Sequence, residues 1–438
     1  MAKTKRSGTT RANTGTKAAG SISSPVDEML LAALERGGDS YETGRYLVTL
    51  KEGAGEQGLL SLGAQGMRMA DARDFKDQAA VLESVGDADG VYFPEIGVAL
   101  VSGNAAKQRS MNVQMEIASD SPVESIDPEY FVFANNNHSE FLRGFLKATE
   151  VITKEIGEGG QQEEDTDEGA LVLGVTWGLK ACKVPPSIRS GSGIKVAVLD
   201  TGMDLGHPDF AGRAIVSATF VGQPVQDLHG HGTHCIGTAC GTKAPAGAIP
   251  RYGIGHKTRI FVGKVLSNSG SGTQAGVLAG MNWAIANRCQ VISMSLGSQS
   301  PVHPAYTAAG QSALNNGCLI IAAAGNAGAS TGSPANSPTI MSVASLDLNL
   351  QPSSFSNFGK VEIAAPGRDV FSSWPRPVRY KTISGTSMAT PHVAGCAALW
   401  AETNANLRGL TLWRKLQATA KHLPFPASRV GAGLVQAP

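Results

Sequence analysis

Apolar and polar residues alternate over 45–51 (RYLVTLK), and 90–101 reads as extended chain. Helical spacing covers 105–118, and 123–134 returns as a strand. This order predicts a small α+β unit over 41–134, an antiparallel sheet with helices on one face and ferredoxin-like connections. Ahead of it, 26–34 (VDEMLLAAL) is a short helical pattern closed by Gly37 and Gly38. Behind it comes a helical pattern over 139–156. Residues 157–169 (GEGGQQEEDTDEG) then carry six acids and no apolar side chain, which predicts an exposed, flexible linker. From 174 onward the pattern changes. Strand-like runs at 194–199, 259–265, 290–294, 319–323 and 340–344 alternate with helical runs at 231–241, 273–287, 303–316 and 387–403. Strands this apolar on both faces belong in a mostly parallel sheet covered by helices. The chain divides into 1–40, a basic tail with a short helix; 41–134, the α+β unit; 135–173, helix and linker; and 174–438, a three-layer α/β domain.

The chemistry-bearing residues fall on the α/β part. Ser387 stands in SGTSMATPH, where a glycine-flanked turn runs into a helix. A serine hydroxyl needs a neighbouring base to become a nucleophile. The free N–H groups of a first helical turn favour negative charge developing beside it. Asp200 ends the strand at 194–199 and His231 opens the next helix, so both lie at the carboxyl ends of strands, where ligands bind in such sheets. Asp, His and Ser in that order are a set able to perform acyl transfer.

Three long blocks resemble the subtilisin-like serine proteases, the subtilases: VAVLDTGMDLGHPDF (196–210), HGHGTHCIGTACG (229–241) and SGTSMATPHVAGCAAL (384–399). Shorter matches are AAAGNAG (322–328), SMSLGS (293–298) and NSGSGT (268–273), and the resemblance covers roughly 174–438. It implies a subtilisin-like serine endopeptidase with Asp200, His231 and Ser387 as triad and Asn326 as oxyanion-hole donor. It implies that substrate main chain is clamped between Ser269, Gly270, Ser271 and Gly272 on one side and Ser295, Leu296 and Gly297 on the other. Ala324, Gly325 and Gly332 would complete the pocket before the cleaved bond. These walls carry no acid to offset a buried cation, so a neutral or apolar P1 residue is expected.

The unit at 41–134 resembles, by pattern and position, the subtilase propeptide or inhibitor I9 domain. The resemblance implies a self-inhibited zymogen whose own propeptide is its first partner. Cleavage is expected either at 134–138, straight after the last strand, or within the linker at 157–172. Asp209 aligns with a calcium ligand of many subtilases. The loop 241–255, which would complete that site, lacks the expected asparagine and carries Lys243 and Arg251. A structural calcium therefore stays an open expectation, and catalysis requires no cofactor.

Composition narrows the remaining classes. A net charge of +1 argues against dedicated nucleic-acid or membrane-surface binding, and no run of 18 apolar residues predicts a membrane span. Lys3, Lys5, Arg6, Arg11 and Lys17 precede the first acid, Asp27, with no apolar segment behind them. A Sec signal is not expected, which favours an intracellular place over non-Sec export. The six cysteines include Cys289, Cys318 and Cys396 within apolar runs, so free buried thiols are expected. His229, His231 and His234 invite a metal cluster, but their spacing is not a zinc spacing. A single-partner processing protease and an inactive peptide-binding relative are the competing functions.

Overall fold

The computed structural model describes residues 24–35, 41–108, 121–134 and 174–438. The expected helix at 139–156, the acidic linker and residues 109–118 of the expected helix at 105–118 lie outside the described residues.

Helix α1 (Pro25–Glu35) precedes a unit of strands β1 (Glu42–Leu50), β2 (Met69–Asp71), β3 (Gly90–Phe93), β4 (Val98–Val101) and β5 (Val123–Phe133), with α2 (Gly55–Ala64) and α3 (Gly103–Gln108). The strand order β2-β3-β4-β1-β5, antiparallel except for β2 with β3, has ferredoxin-like connections. The stretch 90–101 is not one extended segment. It folds back as a hairpin pairing Gly90 with Val101, because Pro94 interrupts the strand and Gly97 turns the chain at φ +64.

The α/β part begins with α4 (Trp177–Ala181) and β6 (Lys195–Asp200), β7 (Ile215–Thr219), α5 (His231–Cys240), β8 (Arg259–Lys264) and β9 (Ser271–Thr273). It continues through α6 (Gln274–Ala286), β10 (Val291–Met294), α7 (Pro304–Asn315), β11 (Leu319–Ala323), β12 (Met341–Leu346) and β13 (Ile363–Pro366). It ends with the hairpin β14 (Val370–Ser373) and β15 (Tyr380–Ile383), then α8 (Thr386–Thr403), α9 (Gly409–Thr419) and α10 (Ala427–Val430). Seven strands form one parallel sheet in the order β13-β12-β11-β10-β6-β8-β7. Alternate residues feed opposite faces, as the two-residue strand period requires. Val196, Val198, Ile260 and Ile321 pack with α5 and α8, while Ala197, Leu199, Phe261 and Ile320 pack with α6 and α7. The edge strands β7 and β13 are absent from the expected set. The first is only part-buried and the second is four residues long, so neither leaves a long apolar run.

The two units meet in a shared core. Leu47, Val91, Phe93, Val98 and Leu100 of the N-terminal sheet join Val277, Met281 and Ala309 of α6 and α7. The end of β5 pairs with β9 of the α/β part, which makes β9 the sixth strand of the N-terminal sheet.

Candidate active site

Asp200 closes β6, and its side chain is 1% exposed. Its Oδ1 accepts from the Thr201 N–H (2.7 Å) and from His231 Nδ1 (2.8 Å). Burial opposes charge on His231, but the adjacent Asp200 carboxylate outweighs it and holds the imidazole well above its ordinary pKa. The helix carrying His231 is fixed by Asp227, which the sequence reading missed. Buried Asp227 accepts from the N–H groups of His229, Gly230 and Thr233 and from the hydroxyls of Thr201 and Thr233. Those contacts satisfy the otherwise unpaired donors at the start of α5. The signal for it was an acid placed just before HGHGTH.

Ser387 lies in the first turn of α8 and is 2% exposed. Its Oγ donates towards two carbonyl oxygens, Ser295 O (3.3 Å) and Ala134 O (3.4 Å), rather than to His231. His231 Nε2 has no hydrogen-bond partner. Cys235 links the two helices, with Sγ 4.0 Å from His231 Nδ1 and 3.6 Å from the Ser387 carbonyl. Burial pushes the Cys235 thiol pKa up, so it sits beside the imidazole as a neutral group. Asn326 Oδ1 accepts from the N–H and hydroxyl of Thr386, both at 2.8 Å, which commits its oxygen and fixes the orientation of its amide.

The cleft is filled by the protein's own chain. Phe131, Val132 and Phe133 pair antiparallel with Thr273, Gly272 and Ser271, and Phe133 exchanges backbone hydrogen bonds with Gly297 on the other side (3.0 and 3.1 Å). The Ala134 N–H donates to Gly270 O (2.9 Å), which leaves the Ala134 carbonyl at Ser387. Ala134 itself is 4% exposed and packs in the cluster that contains Leu296. Ser295 donates its hydroxyl to the Ser387 carbonyl (2.7 Å). Gly332 N–H donates to Ala324 O, and Ser298 pairs with Ser333, which ties the three segments expected to line the pocket to one another. A Cβ on Gly297 or Gly332 would lie 2.5 Å from a backbone oxygen, so only glycine fits either position. Asn357 is a second residue the sequence reading missed. Fully buried, it donates to Ala324 O and Ser330 O and accepts from Ala327 and Ala329, bracing the Asn326 loop; Gly325 O accepts its backbone N–H.

The remaining sequence candidates separate cleanly. His234 Nε2 faces Val370 O and Lys381 O, and burial lowers its pKa to about 3, as suits a structural histidine. Among the described residues, the one set of metal-type donors that converges is Asp200, His231 and Cys235, so the three histidines form no metal cluster. All six cysteines are buried and unbridged. Asp209 accepts from the hydroxyls of Tyr252 (2.5 Å) and Tyr380 (3.1 Å). Arg251, buried in the loop 241–255, donates to Gly253 O and Ile254 O. The Oδ2 atom of Asp209 and two carbonyls of the loop are thus engaged in the protein's own hydrogen bonds.

The subtilase family model (Peptidase_S8) matches residues 191–433, more than half of the chain. The chain belongs to the subtilase family. Alkaline protease of Alkalihalobacillus alcalophilus is 39% identical over 282 residues, 63% of this chain and 72% of that protein. Subtilisin Savinase of Lederbergia lenta is 40% identical over 270 residues, 60% of this chain and 97% of that one. The crystal structure of a cold adapted subtilisin-like serine proteinase shares 36% identity with a TM-score of 0.54, covering 60% of this chain and 98% of its own. This subtilase is a subtilisin-like serine endopeptidase that acts on polypeptides. No helix among the described residues is long and apolar enough to cross a membrane.

Proposed function

We propose that this subtilase is made as a self-inhibited zymogen, with residues 41–134 as propeptide, 174–438 as catalytic domain, and its own cut at the Ala134–Asn135 bond. The observation that carries this reading is the Ala134 carbonyl oxygen, 3.4 Å from Ser387 Oγ at the end of a strand clamped by Gly272 and Gly297. An extended segment held there occupies the place of a substrate by strand addition. In the reaction, Ser387 Oγ attacks the carbonyl carbon and His231 Nε2 takes its proton, then gives it to the leaving amine. Rotation about the Ser387 Cα–Cβ bond exchanges the Ala134 contact for the histidine. Asp200 holds the ring with Nδ1–H towards it and stabilises the imidazolium. The Asn326 amide and the Ser387 N–H receive the developing oxyanion.

Ala134 in the acid-free pocket supports a neutral, small or apolar P1 residue. The two tyrosines on Asp209 support catalysis and folding without bound calcium. Mass analysis of the purified chain beside Ser387→Ala tests the reading. The expected result is a fragment ending at Ala134 in the first and an intact chain in the second. A fragment ending within 157–172, or identical cleavage in both proteins, would overturn the assigned cut.

A further inference from the structure

Helix α1 lies outside the unit that fills the cleft, yet it is tied to the cleft wall. Ser24 and Asp27 cap the helix reciprocally, the Asp27 N–H to Ser24 Oγ (3.1 Å) and the Ser24 N–H to Asp27 Oδ2 (3.2 Å). The other carboxylate oxygen, Asp27 Oδ1, accepts from the hydroxyls of Ser267 (2.8 Å), Ser269 (2.6 Å) and Ser271 (2.6 Å). Asp27 is 6% exposed and Ser267 and Ser271 are fully buried. Such hydroxyl–carboxylate bonds are charge-assisted and short.

The apolar face of α1 completes the arrangement. Val26 and Leu30 pack with Phe131 and Phe133 of β5 and with Val221 of the α/β part. Phe133 is paired directly with Ser271, and directly opposed residues of an antiparallel pair face the same side. One short helix therefore covers that side of the cleft strand and, through Asp27, grips the strand β9 that clamps it.

We propose that α1 is a latch, a second autoinhibitory element that locks the 131–134 segment in the cleft, and that Ser267, Ser269 and Ser271 form the carboxylate-binding site that receives it. This inference rests on the self-inhibition proposed above. Releasing β5 then requires two events, parting of the β5–β9 pairing and withdrawal of Asp27 from the three hydroxyls. The same site is open to an acidic side chain from another polypeptide once α1 has left.

Amide hydrogen exchange on the full chain carrying Ser387→Ala, which cannot cut itself, reads the latch directly. Adding Asp27→Ala should speed exchange at Phe131, Phe133 and Ala134 by about tenfold or more, with β6 and β10 to β12 unchanged; a 1.4 kcal/mol loss corresponds to tenfold. Leu30→Ala, which removes the apolar half, should act in the same direction. Protection at 131–134 that neither substitution alters overturns the latch and leaves the self-inhibition reading standing. Fast exchange at 131–134 in the Ser387→Ala parent overturns the self-inhibition reading, and the latch with it.

Discussion

The two large sheets among the described residues are stabilised in opposite ways. The seven-stranded parallel sheet is covered by α5 and α8 on one face and α6 and α7 on the other, all supplied by residues 174–438. The N-terminal sheet owns one covered face, where Val48, Leu62 and Val123 pack among themselves. Its other face is completed by α6 and α7 of the catalytic domain. A sheet with both faces covered by its own segment can stand alone, whereas one that borrows half its core depends on docking. Polar contacts repeat the lesson. Asp200 takes both of its hydrogen-bond donors, the Thr201 N–H and His231 Nδ1, from its own domain, but Glu129 of β5 is satisfied across the joint. It accepts from Arg45 and Thr43 on its own side and from the Ala275 N–H at the start of α6 on the other. Burial opposes its charge, yet Arg45 and these hydrogen bonds hold its pKa below the usual carboxylate range.

The largest expected effect lies wholly inside the self-sufficient part. Asp200→Asn should lower kcat by about 10⁴, because the amide favours the wrong tautomer of His231. The reactive form is the neutral imidazole, so activity rises with pH through the His231 pKa. Asp200 raises that pKa, and its removal should move the acid limb of kcat/KM to lower pH. A limb that stays in place would show that His231 is not the base. Thermal stability of the N-terminal unit should be unaffected.

The joint is the next place to break the contrast. Glu129→Ala leaves Arg45, only 11% exposed, with exposed Glu83 as its remaining acid. The loss should therefore approach, without exceeding, the figure of about 3–5 kcal/mol typical of truncating one partner of a buried pair. Denaturant unfolding of the full chain, with Ser387→Ala to prevent cleavage, should show the N-terminal unit separating first while the catalytic domain keeps its midpoint. One transition, shifted as a whole, would refute the idea that only one sheet depends on the other. Returning to the catalytic domain, Asn326→Ala should reduce kcat by about 10²–10³ with little change in KM; subtilisin itself is the reference case for that figure. A change confined to KM would remove Asn326 from the oxyanion site.

How far the sequence could be read follows the same division. Asp200, His231, Ser387 and Asn326 each sit in a contiguous string whose local form, strand end or helix start, is carried by its neighbours. The parallel sheet was legible for a related reason, since strands buried on both faces leave unbroken apolar runs. Asn357 was invisible because its partners are backbone groups some thirty positions away, brought together only by folding. Asp227 instead binds amides two to six positions along and left a local mark in the acid just before HGHGTH. Glu129 with Ala275, and Asp27 with Ser271, are separated by 146 and 244 positions, and no local pattern marks either pairing. The Ser24–Asp27 spacing announces a helix start, not what the second carboxylate oxygen binds. Likewise nothing around Asp209 marks the Tyr252 and Tyr380 hydroxyls that reach it from distant segments.

The smallest effect concerns that carboxylate. A bound ion stabilises the folded state in proportion to its occupancy, so chelation should lower the melting temperature of any domain relying on one. Here two phenolic hydroxyls already satisfy Asp209 Oδ2, and burial with the neighbouring carboxylate drives the Tyr252 pKa far upward, keeping it a donor at any ordinary pH. Arg251 meanwhile holds its guanidinium against the Gly253 and Ile254 carbonyls of the loop 241–255. Chelator should therefore leave the melting temperature of the Ser387→Ala chain unchanged. Tyr252→Phe, which strips one donor from the carboxylate, should lower stability by about 1–3 kcal/mol. A marked fall in melting temperature on chelation, reversed by added calcium, would mean that the catalytic domain is less self-sufficient than its covered sheet implies.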